Sequence, residues 1–235
     1  MTQHALAHRK VFGLQSYFTR VYNYMGGGLL MSALLAWLSV QDPLFSLFYR
    51  VSDQGVTYSI LGWVAIFSPL LVIFLIGHAV NKLKIQQAKL YFWIFSALMG
   101  VSLGNIFLMF SGAAIFQAFL VTAGMFFAIS LYGYTTKRDL SSMRTFLMMG
   151  LFGVVIASIV NLFVGSGQFN FILNVMAVIV FVGLTAYDTN KLRLAYNDTD
   201  SDEIVQGKAI YGALSLYLDF INLFRLMLYF LNNRR

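Results

Sequence analysis

The chain has 235 residues, of which 59% are hydrophobic and 11% are charged, and its formal net charge is +7. With a mean hydropathy of +0.74, this composition would leave a soluble protein with apolar surface that it could not cover, so it predicts an integral membrane protein. The absence of cysteine excludes disulfides, thiolate metal sites and a catalytic thiol.

Seven apolar runs follow one another along the chain. Each has about 20 residues, enough for a helix to span a hydrocarbon core about 30 Å thick, and none alternates as a transmembrane strand would. The sequence therefore predicts an all-α integral membrane protein with seven transmembrane helices, in which residues 21–235 form a single domain after a polar tail over residues 1–20. The predicted spans are residues 21–40, 58–79, 90–110, 114–133, 145–165, 169–188 and 210–231.

The basic residues are unequally divided between the two sides of these spans. The tail and the three connections on its side carry three basic residues each, whereas the opposite connections carry only Arg50. By the positive-inside rule the N-terminal tail is expected to be cytoplasmic. This sorting, together with contact to anionic lipids, explains the positive net charge, so nucleic-acid binding is not needed to explain it. The twelve residues are Arg9, Lys10, Arg20, Lys82, Lys84, Lys89, Lys137, Arg138, Arg144, Lys191, Arg193 and Lys208.

The two chain ends complete this topology. The tail lacks the short apolar stretch and the cleavage site of a signal peptide, so the first span is expected to direct its own insertion. An odd number of helices places the C-terminus outside, although Arg234 and Arg235 are disfavoured there. A re-entrant last segment is the alternative that would return them to the cytoplasm.

Two acidic residues lie where a membrane would bury them. Asp219 is in the middle of the last run and Asp188 ends the sixth, while the other seven acids fall in polar connections. An Asp at the centre of a transmembrane helix costs about 2.5 to 3.5 kcal/mol on insertion scales, and such a residue is a functional candidate whose partner should be named. We expect each aspartate to be the partner of the other.

Two carboxyl groups close together in a low-dielectric medium cannot both ionise cheaply, so Asp188 and Asp219 are expected to share one proton. The shared proton forms a strong hydrogen bond that joins spans six and seven. Its loss leaves two like charges, which repel each other or recruit a divalent cation through their oxygens. The pair therefore predicts a pH sensor and gate, with both aspartates as transient calcium contacts.

The depth of the two aspartates leaves the role of Asp188 open. Asp219 lies nine residues beyond Ile210, about 13.5 Å along a helix, whereas Asp188 is at the cytoplasmic end of its span. They meet if span six continues helically through residues 189–194, or if a cavity admits the cytoplasmic end of span seven. The alternative is that Asp188 is an interfacial acid beside Lys191.

Two further residues of the last span could support the gate. Asn222 lies one turn from Asp219 and could orient its carboxyl group. Arg225 is a second charge in the same span, and it either snorkels toward the outer surface or acts as a counter-ion of Asp219.

Three stretches carry recognisable motifs: LYGYTTKRDL at residues 131–140, GLTAYDT at 183–189 and LSLYLDFINLF at 214–224. Together they resemble the transmembrane Bax inhibitor motif family, also called the Bax inhibitor-1 family, and most of all its bacterial inner-membrane members. The resemblance covers nearly the whole chain and is strongest from the third span onward.

The resemblance implies a fold in which six spans surround a central seventh, and a location in the inner membrane. It also implies that Asp188 and Asp219 sense pH and govern a leak of calcium. In some members a basic residue near the cytoplasmic end of span two latches onto the aspartates. Lys82 is the nearest candidate, the alternative being a lysine that only obeys the positive-inside rule. At Arg225 the chain departs from the apolar residue usual in the family.

Three functional classes remain. The first is the calcium leak, and the second is an interaction protein that modulates a client such as a membrane-bound ATP-dependent protease. The third is an intramembrane aspartyl protease, which is disfavoured because the residues directly before Asp219, Leu216 to Leu218, include no glycine and the only prolines, Pro43 and Pro69, lie far away in the chain. We therefore expect no enzymatic activity. No cofactor is expected either, since His4, His8 and His78 lack ligand spacing.

Overall fold

The computed structural model of the protein describes residues 3–52 and 55–232, with side chains from Gly13 onward. Asp53, Arg234 and Arg235 lie outside the described residues, as do the side chains of His4, His8, Arg9 and Lys10. The predicted side of the C-terminus therefore stays a prediction.

The described chain is almost entirely helical. Helix α4 (Ile85–Leu103) is continued by α5 (Asn105–Met109) across a break at Gly104, and a short 3-10 helix, Leu140–Met143, precedes α7 (Arg144–Val164). In chain order the elements are α1 (Gln3–Leu38), α2 (Phe45–Phe48), β1 (Tyr49–Ser52), β2 (Gly55–Tyr58), α3 (Ile60–Asn81), α4 (Ile85–Leu103), α5 (Asn105–Met109), α6 (Gly112–Thr135), α7 (Arg144–Val164), α8 (Gly167–Ala195) and α9 (Asp202–Asn232).

Seven helical segments of the described chain are long and apolar enough to cross a membrane, and each overlaps one predicted span. The predicted all-α fold with seven spans is confirmed. Helix α9 is the most enclosed of them, with 50% of its most apolar stretch buried, against 6% to 39% in the others. The central position that the resemblance implies for the last helix stays a prediction.

The last two helices extend beyond their apolar runs. Helix α8 continues past Asp188 to Ala195. The residues that follow Asp188 include Lys, Leu, Arg and Ala, all of which have high helix propensity. Helix α9 begins at Asp202, with Glu203 also in its first turn, where acidic side chains interact favourably with the helix dipole. It then runs unbroken to Asn232, which favours a full span over a re-entrant segment.

A small antiparallel hairpin between α2 and α3 was not predicted. Strands β1 and β2 pair Tyr49 with Tyr58 and Ser52 with Gly55, and Gly55 has a φ of 114° that favours glycine. The β-branched and aromatic residues of both strands gave a signal, but the connection is too short for a hydropathy window to separate it from the neighbouring spans.

The chain divides into two compact units, which are described separately. One holds Met1–Ile115 with Tyr196–Tyr217, and the other holds Phe116–Ala195 with Leu218–Arg235. Helix α9 contributes its first half to the first unit and its second half to the second. Asp188 and Asp219 both belong to the second unit, whereas Lys82 belongs to the first.

Within the first unit, α1 and α4 pack closely because small residues face each other. A Cβ added to Gly100 would lie 2.6 Å from the carbonyl oxygen of Ser32. The Ser32 hydroxyl lies 2.6 Å from the carbonyl oxygen of Ser96 and 2.6 Å from the hydroxyl of Tyr217. Small residues and hydroxyl hydrogen bonds of this kind join helices where lipid gives no hydrophobic driving force.

Within the second unit, α8 and α9 are joined by a polar contact near one end of the pair. The Asn170 side-chain amide donates to the Tyr229 hydroxyl at 3.2 Å, and Asn174 donates to the Asn170 carbonyl at 2.7 Å. Helix α7, by contrast, is mostly exposed and buries Leu147. Large exposed apolar side chains such as Phe146 and Phe163 fit a surface in contact with lipid chains.

Candidate functional site

Asp219 is the most deeply buried acidic side chain that the structure describes. It lies on α9 and is 5% exposed, and its Oδ2 atom has no hydrogen-bond partner within the described chain. The next residue, Phe220, packs its ring edge-to-face against Phe119 and Phe126 of α6. An ionised carboxylate is costly in such apolar surroundings unless it is paired.

Asp188 is the acidic neighbour of Asp219. It is half-buried on α8, and the two carboxyl groups are close enough to interact electrostatically. Helix α8 continues to Ala195, as in the first of the two arrangements that the sequence left open. Asp188 therefore lies within a helix rather than at its end.

Asp188 also interacts with Lys191, three residues further along α8. The Lys191 ammonium lies 6.0 Å from the centroid of the Tyr187 ring, and the lysine side chain is exposed. Both interactions considered for Asp188 are thus present at once: a carboxyl partner on α9 and a cation on its own helix. The two compete, since Lys191 favours the charged form of Asp188 and a second carboxylate opposes it.

The other candidate residues are placed apart from this pair. The Asn222 side-chain amide donates to the Leu218 carbonyl of its own helix at 2.9 Å. Arg225 is exposed, and among the described residues the ion pairs are Arg20 with Asp202 and Lys208 with Asp200. This position favours the snorkelling interpretation of Arg225 over the counter-ion.

Lys82 ends α3 in the first unit. Its side chain is exposed, and its backbone N–H donates to the His78 carbonyl at 3.2 Å. This position is the one expected of a lysine that follows the positive-inside rule. The latch assigned to Lys82 stays a prediction.

The sequence analysis did not identify a buried asparagine next to the aspartate pair. Asn190 is 1% exposed, and its Oδ1 accepts from the Leu140 N–H at 3.1 Å, while its Nδ2 donates to the carbonyl oxygens of Gly133 and Arg138 at 3.3 Å each. One side chain two residues from Asp188 thus binds one backbone group in the last turn of α6 and two in the connection between α6 and α7. Its position in an expected polar connection gave no signal of this role.

Further contacts hold the C-terminal end of α6 against α8. Arg193 donates to the Tyr134 carbonyl at 3.1 Å, and Thr189 lies 3.4 Å from the Ser130 hydroxyl. The motif stretch 131–140 is therefore packed against the stretch 183–189 that holds Asp188. Two of the three motifs that carry the family resemblance form one contact.

The carboxylate pair is too small to hold a resident calcium ion by itself. Two carboxylates offer at most about four oxygens, whereas calcium takes about six to eight. No group of three or more His, Asp or Glu side chains is gathered in the part of the chain that the structure describes.

Comparison with known proteins identifies the family. The family model described as inhibitor of apoptosis-promoting Bax1 matches residues 14–235. The inner membrane protein YbhL of Escherichia coli strain K12 is 40% identical over 225 residues, which cover 95% of this chain and 94% of that protein. The uncharacterized protein RP147 of Rickettsia prowazekii is 38% identical over 95% of this chain and 92% of its own length. A membrane protein of Streptococcus pyogenes serotype M1 is 36% identical over 95% of both chains. These matches confirm the resemblance seen in the three motifs, and the chain belongs to the Bax inhibitor-1 family of membrane proteins.

Proposed function

We propose that this protein is a pH-sensitive cation leak of the inner membrane, that calcium is its permeant ion, and that Asp188 and Asp219 form its gate. It has no enzymatic activity of its own and lies in the membrane with its N-terminus in the cytoplasm. The observation that carries the proposal is the burial of Asp219 within a membrane-spanning helix, with one carboxylate oxygen unpartnered and a second carboxyl group as its electrostatic neighbour.

The gate works through the number of protons on the pair. With one shared proton, the two carboxyl groups attract each other and hold α8 against α9. Without it, two like charges face each other in a low-dielectric environment, where their repulsion is much stronger than in water. The helices then separate or a cation is drawn between them, and carboxylate oxygens are suitable ligands for a divalent ion.

Calcium flux into liposomes tests this proposal. The purified chain is reconstituted with a calcium-sensitive dye inside the vesicles, and flux is measured from about pH 5 to about pH 8, the range in which a perturbed carboxyl group can titrate. We expect a flux that depends on pH in the wild type. Asp219→Asn and Asp188→Asn should each alter that dependence, because an amide preserves the size of the side chain but cannot ionise.

Asp139→Asn is the matched control, since Asp139 is exposed in the connection before the 3-10 helix. Its pH profile should be that of the wild type. A folded wild-type protein that gives no flux above empty liposomes would refute the leak. A pH dependence that Asp139→Asn alters as much as Asp219→Asn would refute the assignment of the gate.

A second candidate is an interaction protein that modulates a membrane-bound ATP-dependent protease without conducting ions. The observation in its favour is the connection after α6, where Lys137 and Arg138 are exposed while Asn190 fixes the backbone that carries them. A fixed, exposed basic loop is suited to docking. In this case the cellular phenotype would depend on Lys137 and Arg138 and would be insensitive to Asp219→Asn.

A further inference from the structure

The first unit contains a cavity of about 410 Å³ whose lining does not include Asp188 or Asp219. Three helices contribute to it: α1, α4 and the start of α9. Its wall combines two cations, two amides and two aromatic rings, which are Arg20, Asn23, Tyr24, Lys89, Trp93 and Gln206.

The cavity lies at the level where three helices enter the bilayer. Arg20 and Lys89 directly precede the apolar runs 21–40 and 90–110, and Gln206 lies four residues before the run 210–231. All three runs begin on the side of the membrane that carries most of the basic residues. This is the depth of the lipid headgroups.

The cations of the cavity are only partly neutralised. Arg20 forms an ion pair with Asp202, with 2.6 Å between Nη1 and Oδ1, and Gln206 donates to the other oxygen of Asp202. Lys89 interacts with Asp202 electrostatically, but it is in neither of the two ion pairs of the described chain. One acid thus faces two cations, and the ammonium of Lys89 remains available for a second anion.

The aromatic side of the cavity is arranged for an amphipathic ligand. The rings of Tyr24 and Trp93 lie 6.4 Å apart between centroids, and Trp93 is 36% exposed. Gly27 makes room for the indole, because a Cβ there would lie 2.9 Å from it. Tryptophan and tyrosine are typical of the interface between headgroups and lipid chains.

We propose that this cavity binds a phosphate group at the membrane surface. Lys89 supplies the principal charge, Arg20 shares its guanidinium between Asp202 and the phosphate, and Asn23 and Gln206 offer neutral amides. The phosphate belongs to an anionic phospholipid headgroup or to a soluble phosphate ester. These two sources share the same chemistry and differ in whether the ligand partitions with the bilayer.

Native mass spectrometry of the full chain in detergent tests the proposal, with phosphatidylglycerol as the probe and phosphatidylethanolamine as the lipid without net charge. We expect phosphatidylglycerol to be retained preferentially. Lys89→Gln should weaken its retention by roughly fivefold, the factor expected for one basic residue near a membrane surface. Lys89→Arg should restore it, which separates loss of charge from loss of folding.

Lys84→Gln is the matched control, because Lys84 is an exposed lysine of the same connection and does not line the cavity. It should leave retention unchanged. Displacement of phosphatidylglycerol by inorganic phosphate would show that the site recognises the phosphate group and also accepts it in soluble form, and lack of competition would identify the lipid as the ligand. Equal losses in Lys84→Gln and Lys89→Gln, or equal retention of both lipids by the wild type, would overturn the proposal.

Discussion

Gly133 of α6 lies directly against the backbone of Ala186 on α8, so that a Cβ at position 133 would be 2.5 Å from the Ala186 carbonyl oxygen. Real side chains essentially never approach this closely, and a backbone atom cannot move aside as the end of a flexible side chain can. The contact brings α6 within reach of the helix that holds Asp188. It explains why a glycine occupies this place in the motif stretch 131–140.

Gly133→Ala should therefore destabilise the protein. Overpacking of a close contact costs about 1 to 3 kcal/mol, so we expect a clear fall in the melting temperature of the purified protein in detergent. Gly124→Ala on the same helix is the control, because a Cβ there meets nothing within 4 Å, and it should leave the melting temperature unchanged or slightly raise it. Equal effects of the two substitutions would show that the contact with Ala186 does not limit packing.

Asn190→Leu should release the connection between α6 and α7. It removes three hydrogen bonds and leaves the Leu140 N–H without its side-chain acceptor, and each buried polar group left unpaired costs about 1 to 3 kcal/mol. We expect faster amide hydrogen exchange in residues 136–140 than in the wild type.

Asn174→Leu is the control for this exchange measurement. The Asn174 amide donates to a carbonyl of its own helix, so its loss should not reach the connection. If exchange in residues 136–140 is the same in Asn190→Leu and the wild type, Asn190 does not fix this backbone.

Ser32→Ala should cost more stability than Tyr217→Phe. The Ser32 hydroxyl can donate to the Ser96 carbonyl at 2.6 Å or the Gly28 carbonyl at 2.9 Å, so the Tyr217 hydroxyl is the donor in their contact. Removing Ser32 leaves a buried tyrosine hydroxyl unpaired, at a cost of about 1 to 3 kcal/mol, whereas Tyr217→Phe leaves Ser32 with its carbonyl partner. Melting temperatures of the two single variants and the double variant measure the difference, and the opposite order would contradict the assigned donor.

Arg225→Leu should leave the pH midpoint of calcium flux unchanged. Arg225 is exposed and interacts with neither aspartate in the described chain, so its charge should not bias the protonation of the pair. The flux assay described for Asp219→Asn measures the midpoint, and the prediction rests on the proposed leak. A midpoint displaced as far as that of Asp188→Asn would restore Arg225 as a counter-ion.

The spans could be predicted because a bilayer imposes a length on every apolar run. The ends of the helices were harder to predict. Helix α8 continues seven residues beyond Asp188, because polar residues with high helix propensity follow it and a hydropathy profile does not detect them. The pairing of Asp188 with Asp219 was predicted from the cost of burying an acid. The arrangement that makes it possible required the structure.

Asn190 could not have been found from the sequence. Its three partners are backbone groups about 50 to 57 residues away in the chain, and a backbone group has no residue type that a pattern could register. The hairpin between α2 and α3 did have β-branched residues that indicate strands. Its two strands are so short, however, that this pattern is weaker than the hydropathy pattern of the neighbouring spans.

The bond between Asn170 and Tyr229 limits how the proposed gate would move. It fastens α8 to α9 at one end, 18 residues from Asp188, or about 27 Å along the helix axis. While that bond holds, the two helices can separate at the aspartates by tilting about the Asn170–Tyr229 contact. Over this length a tilt of about 5° would displace Asp188 by about 2 Å, which is enough to break the hydrogen bond that the proposed shared proton would form.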